Sequence, residues 1–166
     1  MLPDDVDPVS RCRLPPPRRE DLPPAAQAMY DQAMDPKGGT IRGLRGPAGI
    51  HLHAPRLAEA ARPVNRYLRF EAGFTPRERE VAILATARAC DSAFEWAAHE
   101  PEALRVGVPR ETIEAIKHEA PLDGAPEEDA LIVRLAREAF ARKVSQETYA
   151  AALARFGRER LVALSA

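Results

Sequence analysis

Apolar residues recur along most of this chain at spacings of three and four, the pattern of helices that bury one face. Pro23-Pro24 followed by residues 25–34 predicts a first helix with proline in its opening turn, ended by Gly38-Gly39. Residues 41–53 hold Gly43, Gly46, Pro47 and Gly49, so any helix there is short and irregular. From Pro55 to Arg69, Leu57, Ala60, Ala61, Val64, Tyr67 and Leu68 fall at helical spacing. Pro63 should kink that helix or mark a restart.

The clearest start signal is Thr75-Pro76-Arg77-Glu78: a Thr cap, proline at the first position and Glu at the third to close a capping box. The run Val81–Ala87 that follows is apolar on all sides and predicts the buried centre of a bundle. A second box, Ser92-Ala93-Phe94-Glu95, opens the next helix, which Pro101 should end. Gly107 punctuates, and Pro109 starts a helix carrying Ile113 and Ile116. After the loop at 121–126, Glu127-Glu128-Asp129 place negative charge in a helical first turn, favourable against the dipole. The apolar stripe there is Leu131, Ile132, Leu135, Ala139 and Phe140. Ser145 caps the following helix, with Tyr149, Leu153 and Phe156 facing inward, and Gly157 divides it from residues 158–164. No Val/Ile/Thr alternation between hairpin turns occurs, so the expected class is all-α, a compact bundle of about six to eight helices.

Composition narrows the picture further. Hydrophobic residues make up 45 % but aromatics only 5 %, an apolar mass of Ala, Leu and Val that suits closely packed helices. Against 25 acidic residues stand 24 basic ones, which gives no electrostatic case for nucleic acid or an anionic membrane. No apolar stretch approaches the ~20 residues that span a bilayer, and the N-terminus lacks the pattern of a signal peptide, so a cytoplasmic location is expected. Residues 1–22 are rich in Pro and Arg and read as an extended arm, either a tail or a strap against a neighbouring subunit; residues 23–166 read as one helical domain. Cys12 and Cys90 form no CxxC and are expected to be free thiols.

Chemistry concentrates in one stretch. Ser92, Glu95, His99 and Glu102 form one helical stripe, with Glu95 and His99 a single turn apart. Such a stripe is commonly a solvated face, and a His near a helix C-terminus is favoured by the dipole alone. Glu80 lies 15 residues before Glu95, against the apolar run. It reads either as a first-turn carboxylate paired with Arg77 or Arg79, or as a desolvated proton donor or acceptor. His51-Leu52-His53 has no third ligand nearby, and no metal site is expected from it.

Phe74-Thr75-Pro76-Arg77-Glu78-Arg79-Glu80-Val81-Ala82-Ile83-Leu84 and Phe94-Glu95-Trp96-Ala97-Ala98-His99 resemble the carboxymuconolactone decarboxylase family, which also contains alkylhydroperoxidase-D-type proteins. Gly46–His53 and Tyr67-Leu68-Arg69-Phe70 carry a weaker likeness, and the whole extends over roughly residues 20–164. The peroxidase-type branch has Glu-x11-Cys-x2-Cys-x3-His. Here Glu80, Ser92, Glu95 and His99 fall on those positions, so both redox thiols are missing.

The resemblance therefore implies the decarboxylase-like branch: an alkylhydroperoxidase-D-like fold and a lyase working without metal or organic cofactor on a small carboxylated lactone or carbonyl compound. It implies His99 as general acid/base, Glu95 or Glu80 orienting its ring, Ser92 holding a substrate oxygen, and His53, Arg69 and Trp96 on the substrate side. A homo-oligomer, trimer or hexamer, is implied as well. Related chains continue past the equivalent of Leu161–Leu164 with another apolar helix; a dispensable helix, a covering partner or an inactive relative would each account for the difference. The alternatives are a thiol-dependent peroxidase, which Ser92 and Glu95 disfavour, and a non-catalytic scaffold.

Overall fold

The computed structural model describes residues 3–35 and 43–166. The expected Gly38-Gly39 helix stop lies outside the described residues. Eight α-helices and no strand occur among them: α1 (Pro24–Met34), α2 (Pro47–His51), α3 (Pro55–Arg66), α4 (Pro76–Ala89), α5 (Ala93–Arg105), α6 (Arg110–Lys117), α7 (Glu127–Phe140) and α8 (Gln146–Leu164). A 3-10 turn precedes α1 at Arg19–Asp21, and a π-helical turn, Tyr67–Glu71, follows α3. None of the helices in the described residues is long and apolar enough to cross a membrane. The chain divides into two compact units, residues 1–65 and 66–166.

In the first unit, Leu22, Ala26, Leu44 and Leu52 form a small core with Met29, Tyr30 and Ala33 against it. The N-terminal segment turns on itself: Asp7 accepts the N–H groups of Val9 and Ser10, both at 2.8 Å, and the buried Ser10 hydroxyl donates to the Leu14 carbonyl at 2.7 Å. Gly49 is required by close approach, since a Cβ there would lie 2.1 Å from the Leu44 carbonyl oxygen. Pro63 lies inside α3 and marks no restart, since one helix continues to Arg66. Leu57 and Val64, expected on its buried face, are exposed, and Ala58 is the buried position instead.

In the second unit α4 is the central helix and packs against α5, α6 and α7, while α8 packs on α7. Its N-terminus forms as the sequence predicts: the Thr75 hydroxyl accepts the Glu78 N–H at 3.1 Å, and Glu78 Oε2 accepts the Thr75 N–H at 2.7 Å. Val81, Leu84 and Ala85 bury fully between α5, α6 and α7, with Ile113, Ile116, Ile132 and Val133 among their neighbours in the core. Ser145 caps α8, and Gly157, at φ +72° and ψ 175°, breaks it. Tyr149, Ala139 and Phe140 are exposed rather than inward. On α8 the buried face is Thr148, Ala152 and Phe156, one residue out of register with Tyr149. On α7 the last buried position is Leu135, and Ala139 and Phe140 in the final turn are exposed.

Candidate active site

Two neighbouring helices supply the site. Glu80 is the fifth residue of α4, two positions beyond the Glu78 that closes the capping box, and is only 2 % exposed. His99 lies in the middle of α5 and is 3 % exposed. Packing of α4 on α5 brings His99 Nδ1 to 2.7 Å from Glu80 Oε2. With Glu80 as a carboxylate, Nδ1 carries the hydrogen and donates it, which leaves Nε2 with its lone pair. A buried carboxylate costs much unless it is paired and hydrogen-bonded. Here the pairing comes from both sides, because Arg79 Nε stands 3.4 Å from the other oxygen, Oε1.

Pro101 does not end α5, contrary to the sequence expectation; the helix runs on to Arg105. Proline removes a donor from a helix interior, but burial of Ala98, His99 and Ala103 on one face carries α5 through it. His99 is therefore not a helix-end histidine favoured by the dipole; on its stripe it is buried, while Ser92, Glu95 and Glu102 are half-buried. The second capping box closes on one side only. The Ser92 hydroxyl accepts the Glu95 N–H at 3.4 Å, but the Ser92 N–H donates to the Ala87 carbonyl at 2.8 Å. The Glu95 carboxylate turns instead along its own helix, with Oε2 3.6 Å from His99 Nε2 and its side chain 38 % exposed. Glu80, His99 and Glu95 thus form a line of carboxylate, imidazole and carboxylate from the buried interior to the surface.

The remaining expected residues take varied places. Trp96 packs half-buried against the core, its ring 6.0 Å from the Lys117 ammonium and its indole N–H buried without a hydrogen-bond partner. Arg69 lies in the π-helical turn, where its backbone carbonyl accepts a hydrogen bond from Arg79 Nη1 at 2.7 Å. His53 belongs to the first unit, and its Nε2 donates to the Pro15 carbonyl at 2.8 Å. Glu102, the last of the stripe, pairs with Arg105, whose guanidinium holds its carboxyl below the usual carboxylate range. Cys90 caps the C-terminus of α4 as an exposed free thiol, and Cys12 is also free.

Of the two arginines the sequence offers as partners for Glu80, Arg79 is the one that meets it, and Arg77 turns to Asp129 instead. What the sequence does not show is that the same guanidinium also reaches the Arg69 carbonyl. Sequence reading missed a charged cluster where α4, α7 and α8 meet. Arg77 Nη2 donates to Asp129 Oδ2 at 2.5 Å, and Arg160 Nη2 to Glu78 Oε1 at 2.7 Å. Arg155 pairs with Glu128. Burial alone would raise the Glu78 carboxyl, but the Thr75 backbone and Arg160 hold it below its usual value. Burial and the neighbouring Glu78 raise that of Glu128, and burial raises Asp129 against the pull of Arg77.

A model of the carboxymuconolactone decarboxylase family matches residues 55–138, just over half of the chain and the whole of α3 to α6. The chain belongs to the carboxymuconolactone decarboxylase family. No curated protein and no solved structure was found to match it significantly. The matched span contains Glu80, Ser92, Glu95 and His99, and the all-helical architecture agrees with membership.

Proposed function

We propose that the chain is a cofactor-independent, decarboxylase-like lyase that moves protons through His99 on a small carboxylated lactone or carbonyl compound. Family membership supports a decarboxylase or alkylhydroperoxidase-D-like protein in general terms. The observation that carries the narrower reading is the buried 2.7 Å contact between His99 Nδ1 and Glu80. It supports a reading in which Nδ1 is committed to the protein and Nε2 is left for chemistry.

In the forward reaction the substrate carboxylate leaves as carbon dioxide, and the electron pair of the broken carbon–carbon bond moves into the carbonyl to give a dienolate. The imidazolium then delivers its Nε2 proton to carbon. Glu80 stabilises the imidazolium while it exists and holds the ring in place. Glu95, partly exposed and 3.6 Å from Nε2, returns a proton from water to the ring. Ser92, at the N-terminus of α5, holds a substrate oxygen. Arg69 and Trp96, in the same unit as His99, serve the substrate side. The exposed side chains of Phe70 and Val162 are apolar surface that a second copy would cover in a homo-oligomer.

The test is a panel of unsaturated lactone acids and cyclic carbonyl compounds, followed by carbon dioxide release and deuterium incorporation from heavy water. For any substrate accepted, His99→Ala should lower kcat by about 10²–10⁴-fold, the usual share of a general acid/base. A folded His99→Ala protein with undiminished turnover would remove His99 from the mechanism. A variant that mainly loses stability would make His99 a structural residue and favour a scaffold.

A further inference from the structure

The π-helical turn at Tyr67–Glu71 is joined to the candidate site through one side chain. A π turn closes with a bond from residue i+5, here the Ala72 N–H to the Tyr67 carbonyl at 2.9 Å. Carbonyls near the end of such a turn have no partner within it. Arg79 supplies one to Arg69, with Nη1 at 2.7 Å, and the guanidinium carbon lies 5.9 Å from the centre of the Phe70 ring. The same guanidinium presents Nε to Glu80 Oε1 at 3.4 Å. Its side chain is 19 % exposed, so it is held from three directions with little access to water. The second unit fastens the turn a second time, where Tyr67 Oη donates to Glu159 Oε1 at 3.1 Å.

We infer that Arg79 is a positioning residue, which uses the π-helical turn as an anchor to fix Glu80 as the acceptor for His99 Nδ1–H. The inference rests on the acid/base reading of His99. Glu80 has two oxygens, and only Oε2 meets the imidazole. A glutamate side chain has several rotatable bonds, and one hydrogen bond to a ring that itself turns about two leaves the pair loosely defined. Holding Oε1 from the far side removes that freedom. A planar guanidinium suits this task because Nε and Nη1 point along fixed, divergent directions, one to the carboxylate and one to the backbone carbonyl. A lysine offers a single flexible ammonium and cannot set both. Arg105 is the natural contrast: it is also cationic and near the site, but it is exposed and its hydrogen bonds go to Glu102.

Nitrogen-15 and proton NMR of ring-labelled histidine in the full chain reads this without a substrate. The wild-type His99 ring should show a protonated Nδ1, with a low-field, slowly exchanging proton. In Arg79→Met, the exchange of that proton with water should quicken by about tenfold or more, the factor carried by one charged hydrogen bond. The nitrogen shifts should move toward a mixture of tautomers. Arg79→Lys should resemble Arg79→Met, and it serves in its place if the Met variant fails to fold. Arg105→Gln should leave both signals unchanged. An Arg79→Met protein with wild-type tautomer and exchange rate would overturn the inference, as would an equal change in Arg105→Gln. A wild-type ring protonated only on Nε2 would remove the acid/base reading first, and this inference with it.

Discussion

Asp129 offers the sharpest test of how the second unit is held together. It is 1 % exposed, its Oδ2 accepts one hydrogen bond from Arg77 at 2.5 Å, and its Oδ1 is buried with no partner. Replacing Arg77 by Met keeps most of the stem volume and leaves a buried carboxylate alone. Breaking a buried pair from one side costs about 3–5 kcal/mol. The lower end, ~3 kcal/mol, applies here, because Arg77 is 32 % exposed and water screens part of the attraction. Arg77 also sits unfavourably as a cation in the first turn of α4, which trims the loss slightly. For a chain of this length ~3 kcal/mol corresponds to a fall in Tm of roughly 6–12 °C.

The pH dependence carries the diagnosis. Burial raises the Asp129 carboxyl in the wild type, and removing Arg77 raises it further. A carboxyl with a raised folded pKa binds its proton more tightly in the folded state. Its penalty is therefore full above that pKa and disappears as pH falls toward the unfolded value. Arg77→Met should thus cost most at pH 7.5. Near pH 4.5 the cost should shrink toward the roughly 1 kcal/mol of an unpaired neutral group. Urea unfolding at both pH values measures this, and Arg77→Met with Asp129→Asn closes a double-mutant cycle. Equal losses at the two pH values, or a double variant no better than Arg77→Met, would show that Arg77 acts by packing and refute the argument.

Other outcomes follow from the same geometry. The Glu78 carboxyl is held low, so its contribution is present above the ordinary carboxylate range and lost as pH falls through its folded value; Glu78→Gln should flatten acid unfolding at the low end, read by circular dichroism. Thr75→Ala removes the α4 cap and should cost about 1 kcal/mol in urea unfolding. Gly157→Ala meets nothing within 4 Å but must adopt φ +72°, ψ 175°, so a loss of about 1–3 kcal/mol from backbone strain alone is expected in thermal unfolding.

The sequence by itself determined the helices and their starts. Thr75, Ser92 and Ser145 are caps because their hydroxyls satisfy backbone N–H groups within a few residues, a purely local matter. It also determined the central place of α4, since the apolar run at its middle, Val81–Ala85, has to be covered, and it put Glu95 beside His99 because four residues make about one turn. The tertiary structure decided the rest. Whether Glu80 meets His99 depends on how α4 packs on α5, and nothing local to residues 80 or 99 sets that distance. Burial of one face of α5 overruled Pro101, and the register of the faces put Thr148 rather than Tyr149 inside. The pairings of Arg79, Arg77 and Arg160 arise because long side chains reach whatever carboxylate or carbonyl the fold delivers. Local hydrogen bonding and hydrophobic period are written in neighbouring residues; the meeting of charges from different helices is written only in their packing.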